Sequence, residues 1–114
     1  MSLDFRDYDR LEHVLELIGH IGRRLQGMTA ERFLDDIDEI DLTAFRLSVI
    51  GEAVRKLGEP VKQRHADIDW NRIYAMRNVI VHDYQNIKAE RVWDAAQFDL
   101  APLAAVCEDE LGQS

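Results

Sequence analysis

An all-α fold is what this sequence predicts, and three observations carry the prediction. Apolar residues recur at three- and four-residue intervals over long stretches. The gaps between those stretches hold capping and stopping residues, among them Thr29, Asp69 and the Gly58-Glu-Pro60 tract. No strand hairpin, internal repeat or low-complexity segment interrupts the pattern.

In the first helix Tyr8, Leu11, Leu15, Ile18 and Leu25 share a face that Val14 and Ile21 widen, and Gly27 ends it. Thr29 is the N-cap of a short second helix through Phe33 and Leu34. Asp35, Asp36, Asp38, Glu39 and Asp41 read as a solvated turn, and they lack the glycine and spacing of a calcium loop, so no metal site is assigned. The third helix starts at Asp41 or Thr43, runs through Leu57 and stops at Gly58-Glu-Pro60. Its apolar residues, from Leu42 and Phe45 to Val54 and Leu57, cover more than one stripe. Such a helix is central, or it packs against a second subunit. Glu52 interrupts that surface, either as an exposed residue or as the partner of a nearby arginine. Residues 61–66 form a short helical connector. Asp69 caps a fourth helix with Trp70, Ile73, Met76 and Ile80 as its buried ridge, and Gln85-Asn86 breaks it. A fifth begins near Ile87 and carries Val92, Trp93, Ala96, Leu100, Leu103 and Cys107. It must kink or restart at Pro102, which lacks an amide hydrogen.

A length of 114 residues predicts one domain, 1–114, able to bury about two-thirds of its unfolded surface. No apolar run approaches the roughly 18 residues that span a bilayer, and the N-terminal segment lacks a signal-peptide core, so a soluble cytoplasmic protein without membrane contact is expected. The single cysteine, Cys107, lies on an apolar stripe and reads as a core residue in a reducing compartment. A net charge of −8 argues against a general nucleic-acid binder. Residues 61–91 nevertheless hold six basic and four acidic side chains, so this stretch is +2 and the rest of the chain −10.

Inside that stretch lies Arg77-Asn-Val-Ile-Val-His82-Asp-Tyr84. An arginine fork can hold phosphate oxygens, a histidine moves protons near neutral pH, and a tyrosine hydroxyl can bind or be modified. At about 100° per residue Arg77 and Tyr84 lie only about 20° apart on a continuous helix, whereas Arg77 and His82 are splayed by about 140°. For both to grip one phosphate, the helix must tighten or end near His82, or the groups must converge across a dimer seam. Such a site can cut RNA without metal or cofactor. His82 suits the proton transfers of 2′-OH attack, Arg77 the charge on the phosphoryl oxygens, and the product is a 2′,3′-cyclic phosphate. Asn78 can orient His82 one turn away or bind the RNA, and Asp83 can also hold the imidazole, though adjacent residues on a helix do not face each other. The plainer reading makes the arginine solvated, the histidine a buried hydrogen-bonding residue and the tyrosine a core edge. His13, His20 and His65 have no comparable surroundings and read as surface or packing residues.

Several linked segments extend the motif: Ser48-Val-Ile-Gly-Glu-Ala53, Asp67-Ile-Asp-Trp70, Met76 through Tyr84, and Arg91-Val-Trp93. In order and spacing this set resembles the HepT-like toxin branch of the HEPN superfamily, from the third helix onward. The resemblance implies a five- to six-helix up-and-down HEPN bundle that forms a homodimer with the motif near the interface. It also implies the toxin of a type II or type VII-like toxin–antitoxin module, neutralised by a cognate minimal nucleotidyltransferase. Arg77 and His82 then fall on the catalytic ribonuclease positions, Asn78 on the supporting polar one, and Tyr84 on the tyrosine such partners modify with AMP. AMP there would put phosphate and a bulky nucleotide in line with Arg77. Two departures stand out: no proline precedes Ala66-Asp-Ile-Asp69, and Gln85-Asn86 replaces the family's aromatic and glycine. A different expectation from the same residues is a non-catalytic helical dimer that binds a nucleotidyltransferase or a nucleotide, which the acidic charge favours.

Overall fold

The computed structural model describes residues 3–112; Met1, Ser2, Gln113 and Ser114, the ends of the expected domain, lie outside the described residues. All regular structure among the described residues is helical, with no strand: α1 Phe5–Leu25, α2 Ala30–Leu34, α3 Ile37–Lys56, α4 Glu59–Arg64, α5 Trp70–His82, α6 Ala89–Asp94 and α7 Leu100–Gly112. A π turn, Ala95–Asp99, joins α6 to α7 without a break, so the two form one helical run and the bundle has six helices. No helix is long and apolar enough among these residues to cross a membrane.

α1 follows its periodicity: Leu11, Val14, Ile21 and Leu25 are buried while Leu15 and Ile18 pack at the edge of the core. Gly27 then takes φ +76°, the left-handed value that a Cβ disfavours, and turns the chain towards α2. Thr29 and Asp69 cap as expected, accepting from the Arg32 and Arg72 amides at 3.2 and 3.0 Å.

The third helix begins earlier than the sequence suggests. Asp36, not Asp41 or Thr43, is its cap, accepting from the Glu39 amide at 3.2 Å. The carboxylates of the supposed turn sit instead at a helix N-terminus, where negative charge meets unsatisfied amides and the positive dipole end. Glu39 is buried, and its Oε1 accepts from the Arg24 Nε at 2.8 Å, tying α3 to α1. That ion pair consumes a carboxylate that composition alone assigns to water.

α3 is central. It packs on α1, α2, α5 and α6, and supplies Leu47, Ile50 and Val54 to a core shared with Leu11, Phe33 and Leu103. Phe33 meets Trp93 of α6 with ring centroids 5.0 Å apart. Cys107 is fully buried in this core, and desolvation pushes its thiol up to about 12, so it is an inert packing residue. Of the kink or restart expected at Pro102, no restart occurs at that residue, which lies inside α7. The irregularity falls one turn earlier, as the π turn around Phe98, whose carbonyl would otherwise face the proline ring.

Candidate active site

α3 and α5 run antiparallel, with Asp41 beside Tyr84, Gly51 against Arg77, and Arg55 over Tyr74. Gly51 is what lets the two helices close. A Cβ added there would overlap the Arg77 Cβ and lie 3.3 Å from the Ile73 carbonyl oxygen. The glycine thus sets how deeply Arg77 sits in the seam.

Arg77 is held from two sides. Its Nη1 donates to the Asn78 Oδ1 at 3.0 Å, and its Nε lies 3.1 Å from the Glu52 Oε2. The second contact is an ion pair without hydrogen-bond alignment, so Glu52 Oε2 is buried with no donor. Glu52 Oε1 is taken by Arg55, whose Nη2 and Nε stand at 2.6 and 3.2 Å. The Arg55 hydrogen bond first, then the charges of Arg55, Arg77 and Lys56, hold the Glu52 carboxyl below its usual range against the opposing effect of desolvation. Of the two readings open for Glu52, the structure selects the arginine partner.

Arg77 opens onto a groove of about 430 Å³. Arg10 and His13 from α1, Ser48, Glu52 and Lys56 from α3, and Val81 line it with Arg77. Three cations around one carboxylate, with Arg10 also paired to Asp7 at 3.3 Å, make this a place for an anion. His13, set aside from sequence, is an exposed member of the wall. No sequence signal points to it, because its approach to Arg77 is created by the packing of α1 on α3.

His82 is the last residue of α5 and exposed. The helix ends there because Asp83 leaves it at φ −146°, ψ 42°, while its amide still donates to the Val79 carbonyl at 2.9 Å. Asn86 then donates to the Asp83 Oδ1 at 2.7 Å and fixes the turn. The break thus falls at Asp83, ahead of Gln85-Asn86, and Asp83 braces the turn instead of the imidazole. Within one chain His82 does not line the Arg77 groove, and its imidazole makes no hydrogen bond or ion pair with the described residues. The Asn78 oxygen accepts from Arg77, and no hydrogen bond joins it to His82.

Tyr84 departs from the helical projection. It begins a 3₁₀ turn, Tyr84–Asn86, beyond the end of α5, so the 20° alignment with Arg77 of a continuous helix does not hold. Its hydroxyl donates to the Asp41 Oδ1, and the side chain is 40% exposed.

A second set of polar groups lies between α4 and α7. Arg64 donates to both Glu110 oxygens at 2.7 and 3.0 Å, and the His65 Nε2 stands 2.7 Å from Glu110 Oε2. His65, Asp109 and Glu110 have metal-ligand spacing, but the forked Arg64 contact makes the set an ion-pair network.

Comparison with known proteins agrees with the motif. A family model described as ribonuclease HepT-like matches residues 11–110. The chain belongs to the HepT-like family. A Methanocaldococcus jannaschii protein named as a candidate RNase is 31% identical over 87 residues, 76% of this chain and 69% of that protein. Another so named, from Caldanaerobacter subterraneus subsp. tengcongensis, is 29% identical over 84 residues, 74% and 75% of the two chains. A Thermococcus cleftensis protein named "Probable ribonuclease HepT" is 27% identical over 103 residues, 90% and 92% of the two chains. No solved structure matches.

Proposed function

We propose that this HepT-like protein is a metal-independent endoribonuclease, the toxin of a cytoplasmic type II or type VII-like toxin–antitoxin module. The observation that carries the proposal is Arg77: a mostly buried side chain oriented by Asn78, facing a cationic groove, with an incompletely satisfied counter-ion. A phosphodiester entering that groove competes with Glu52 for Arg77. The base removes the ribose 2′-OH proton, the 2′-oxygen bonds to phosphorus, and the P–O5′ bond breaks as an acid protonates the 5′-oxygen. His82 serves these proton transfers, since imidazole exchanges protons near neutral pH. Arg77 stabilises the extra phosphoryl charge. The products are a 2′,3′-cyclic phosphate and a 5′-hydroxyl.

Convergence of His82 on the Arg77 groove is assigned to a homodimer. Phe45 and Val81 support this: one on α3, one on α5, they are 63% and 50% exposed, apolar surface that a second subunit would cover. Inhibition is assigned to a minimal nucleotidyltransferase that attaches AMP to Tyr84. The 40% exposure of Tyr84, and an Asp41 carboxylate placed to accept its proton, support that assignment. Since Tyr84 is not in line with Arg77, the nucleotide would act by blocking the approach to the groove.

The test compares purified unmodified wild type with Arg77→Ala and His82→Ala on RNA in chelator. Cleavage by wild type alone is expected; an inert wild type, or variants that cut equally well, removes the assignment. The other reading, a non-catalytic dimer that presents Tyr84 or its groove to a nucleotidyltransferase or nucleotide, is favoured by the −8 charge. Intact-mass measurement after coexpression with the nucleotidyltransferase addresses the modification: added AMP that disappears in Tyr84→Phe is expected, and an unchanged mass contradicts it.

A further inference from the structure

We infer that a second groove, beside the Arg77 site, is a subsite for single-stranded RNA in which a base stacks on Tyr74 and a backbone phosphate meets Lys62. The inference rests on the ribonuclease reading above and adds where the strand lies. The groove holds about 470 Å³ between the end of α3, α4 and the start of α5. Its volume falls within the roughly 300–1,000 Å³ typical of small-ligand clefts.

Its lining has the two components that strand binding requires, aromatic surface and positive charge, the latter from Arg55 and Lys62 against the single carboxylate of Glu59. Trp70 and Tyr74 are one turn apart on α5 and both half-buried. The indole is fixed because its Nε1 donates to the His65 carbonyl at 3.0 Å. Arg55 places its Cζ 6.0 Å from the centroid of the Tyr74 ring, at the outer limit of cation–π range, so the phenol already lies beneath a cation. A nucleobase offers a similar flat face to the same ring. Lys62 Nζ makes one hydrogen bond, to the Arg55 carbonyl at 3.3 Å, and an ammonium has two more donors to give. Gln63 and Asn71 supply side-chain amides that can meet base edges.

Continuity decides for a strand over an isolated nucleotide. Arg55 lines this groove and its partner Glu52 lines the Arg77 groove, so one ion pair forms the wall between them. Tyr74 and Arg77 are three residues apart on α5, about 4.5 Å along its axis. A nucleotide stacked at Tyr74 therefore lies beside the Arg77 groove, within reach of the next phosphate of its chain. The positive window of an otherwise acidic sequence, residues 61–91, contains most of this lining.

The experiment measures the affinity of the full chain, in a His82→Ala background, for a labelled single-stranded oligoribonucleotide and for an abasic strand of the same length. Tyr74→Ala is expected to weaken binding of the base-containing RNA about tenfold, with the abasic strand unaffected. Tyr74→Phe restores the affinity. Lys62→Ala weakens both strands and reduces the salt slope by about 0.7. If Tyr74→Ala is not folded, Lys62→Ala alone decides through the salt slope. Variants that bind both strands like the parent, or a parent that binds no RNA, overturn the inference. The ribonuclease reading fails separately: wild type that cuts RNA while these variants bind normally sinks only the groove, and wild type that binds through Tyr74 without cutting sinks only the catalysis.

Discussion

Two arginine–glutamate pairs in this small protein differ in how completely they are satisfied. In the pair between α4 and α7, both Glu110 oxygens accept from Arg64, and His65 adds a third contact. Glu110 is only 4% exposed, and nothing in that geometry leaves a place for a ligand. In the pair between α3 and α5, Arg77 meets Glu52 off the hydrogen-bond axis and a carboxylate oxygen is left without a donor. The first arrangement is what stability selects, since a buried ion pair is worthwhile only with its hydrogen bonds complete. The second has unused capacity and faces a groove. Glu39, paired with Arg24, also keeps a buried oxygen without a donor, so it is the groove in front of Arg77 that sets this pair apart and underlies its proposed role with phosphate.

Substitutions should separate the two pairs. The largest expected effect is on catalysis: Arg77→Ala lowers RNA cleavage by about 10²–10³-fold, as loss of a transition-state donor does, with a smaller loss of stability in urea than Glu110→Ala. Glu110→Ala does the opposite. It costs roughly 2–3 kcal/mol of stability in urea denaturation, less than a fully buried pair because Arg64 keeps some solvent contact, and leaves the cleavage rate of folded protein unchanged. Should both variants lose activity while staying equally stable, the contrast between the pairs is wrong.

Gly51→Ala tests the seam itself. Overlap with Arg77 is expected to cost about 1–3 kcal/mol in thermal or urea unfolding and to reduce cleavage by moving the guanidinium. An alanine variant of wild-type stability and activity would show that the helices can separate without consequence.

The closed pair also predicts a pH dependence. The Arg64 hydrogen bonds hold the Glu110 carboxyl below its ordinary 4.5. The unfolded chain therefore takes up this proton first as pH falls, so the stabilisation is complete above about pH 4.5 and lost as pH drops through the lower folded value. Urea midpoints measured from pH 6 to pH 3 should fall more steeply for wild type than for Glu110→Gln. Parallel curves would contradict the assignment.

The smallest effect is expected at the open pair. Glu52→Gln removes the charge that competes with substrate phosphate, and KM should fall about 2- to 5-fold, the scale of a partly exposed ion pair, with kcat nearly constant. A rise in KM would mean that Glu52 positions Arg77 rather than competing for it.

Local signals in the sequence carried much of the fold. The stripes of α1 and α5, the caps Thr29 and Asp69, and the burial of Cys107 follow from periodicity and capping chemistry. The start of α3 was obscured because Asp36 and Glu39 look like loop residues until one caps a helix and the other meets Arg24. Around the site, the motif located Arg77, Asn78, His82 and Tyr84 in the chain but not their partners. Asn78 serves Arg77, Asp41 receives the Tyr84 hydroxyl, and His13 joins the Arg77 groove. Each of those contacts but the first joins residues far apart in the chain, which spacing along one helix cannot register. The projection of Tyr84 onto the Arg77 line failed for a local reason, the helix end at Asp83.

One measurement bears most directly on the chemistry assigned to Arg77 and His82: product ends from RNA substrates that differ by a single 2′-deoxy substitution at the cleaved linkage, in chelator. Wild type should yield a 2′,3′-cyclic phosphate from the all-ribose strand and leave the 2′-deoxy linkage intact, while Arg77→Ala and His82→Ala produce neither fragment. Cleavage at the 2′-deoxy linkage, or fragments ending in a 5′-phosphate, would contradict it.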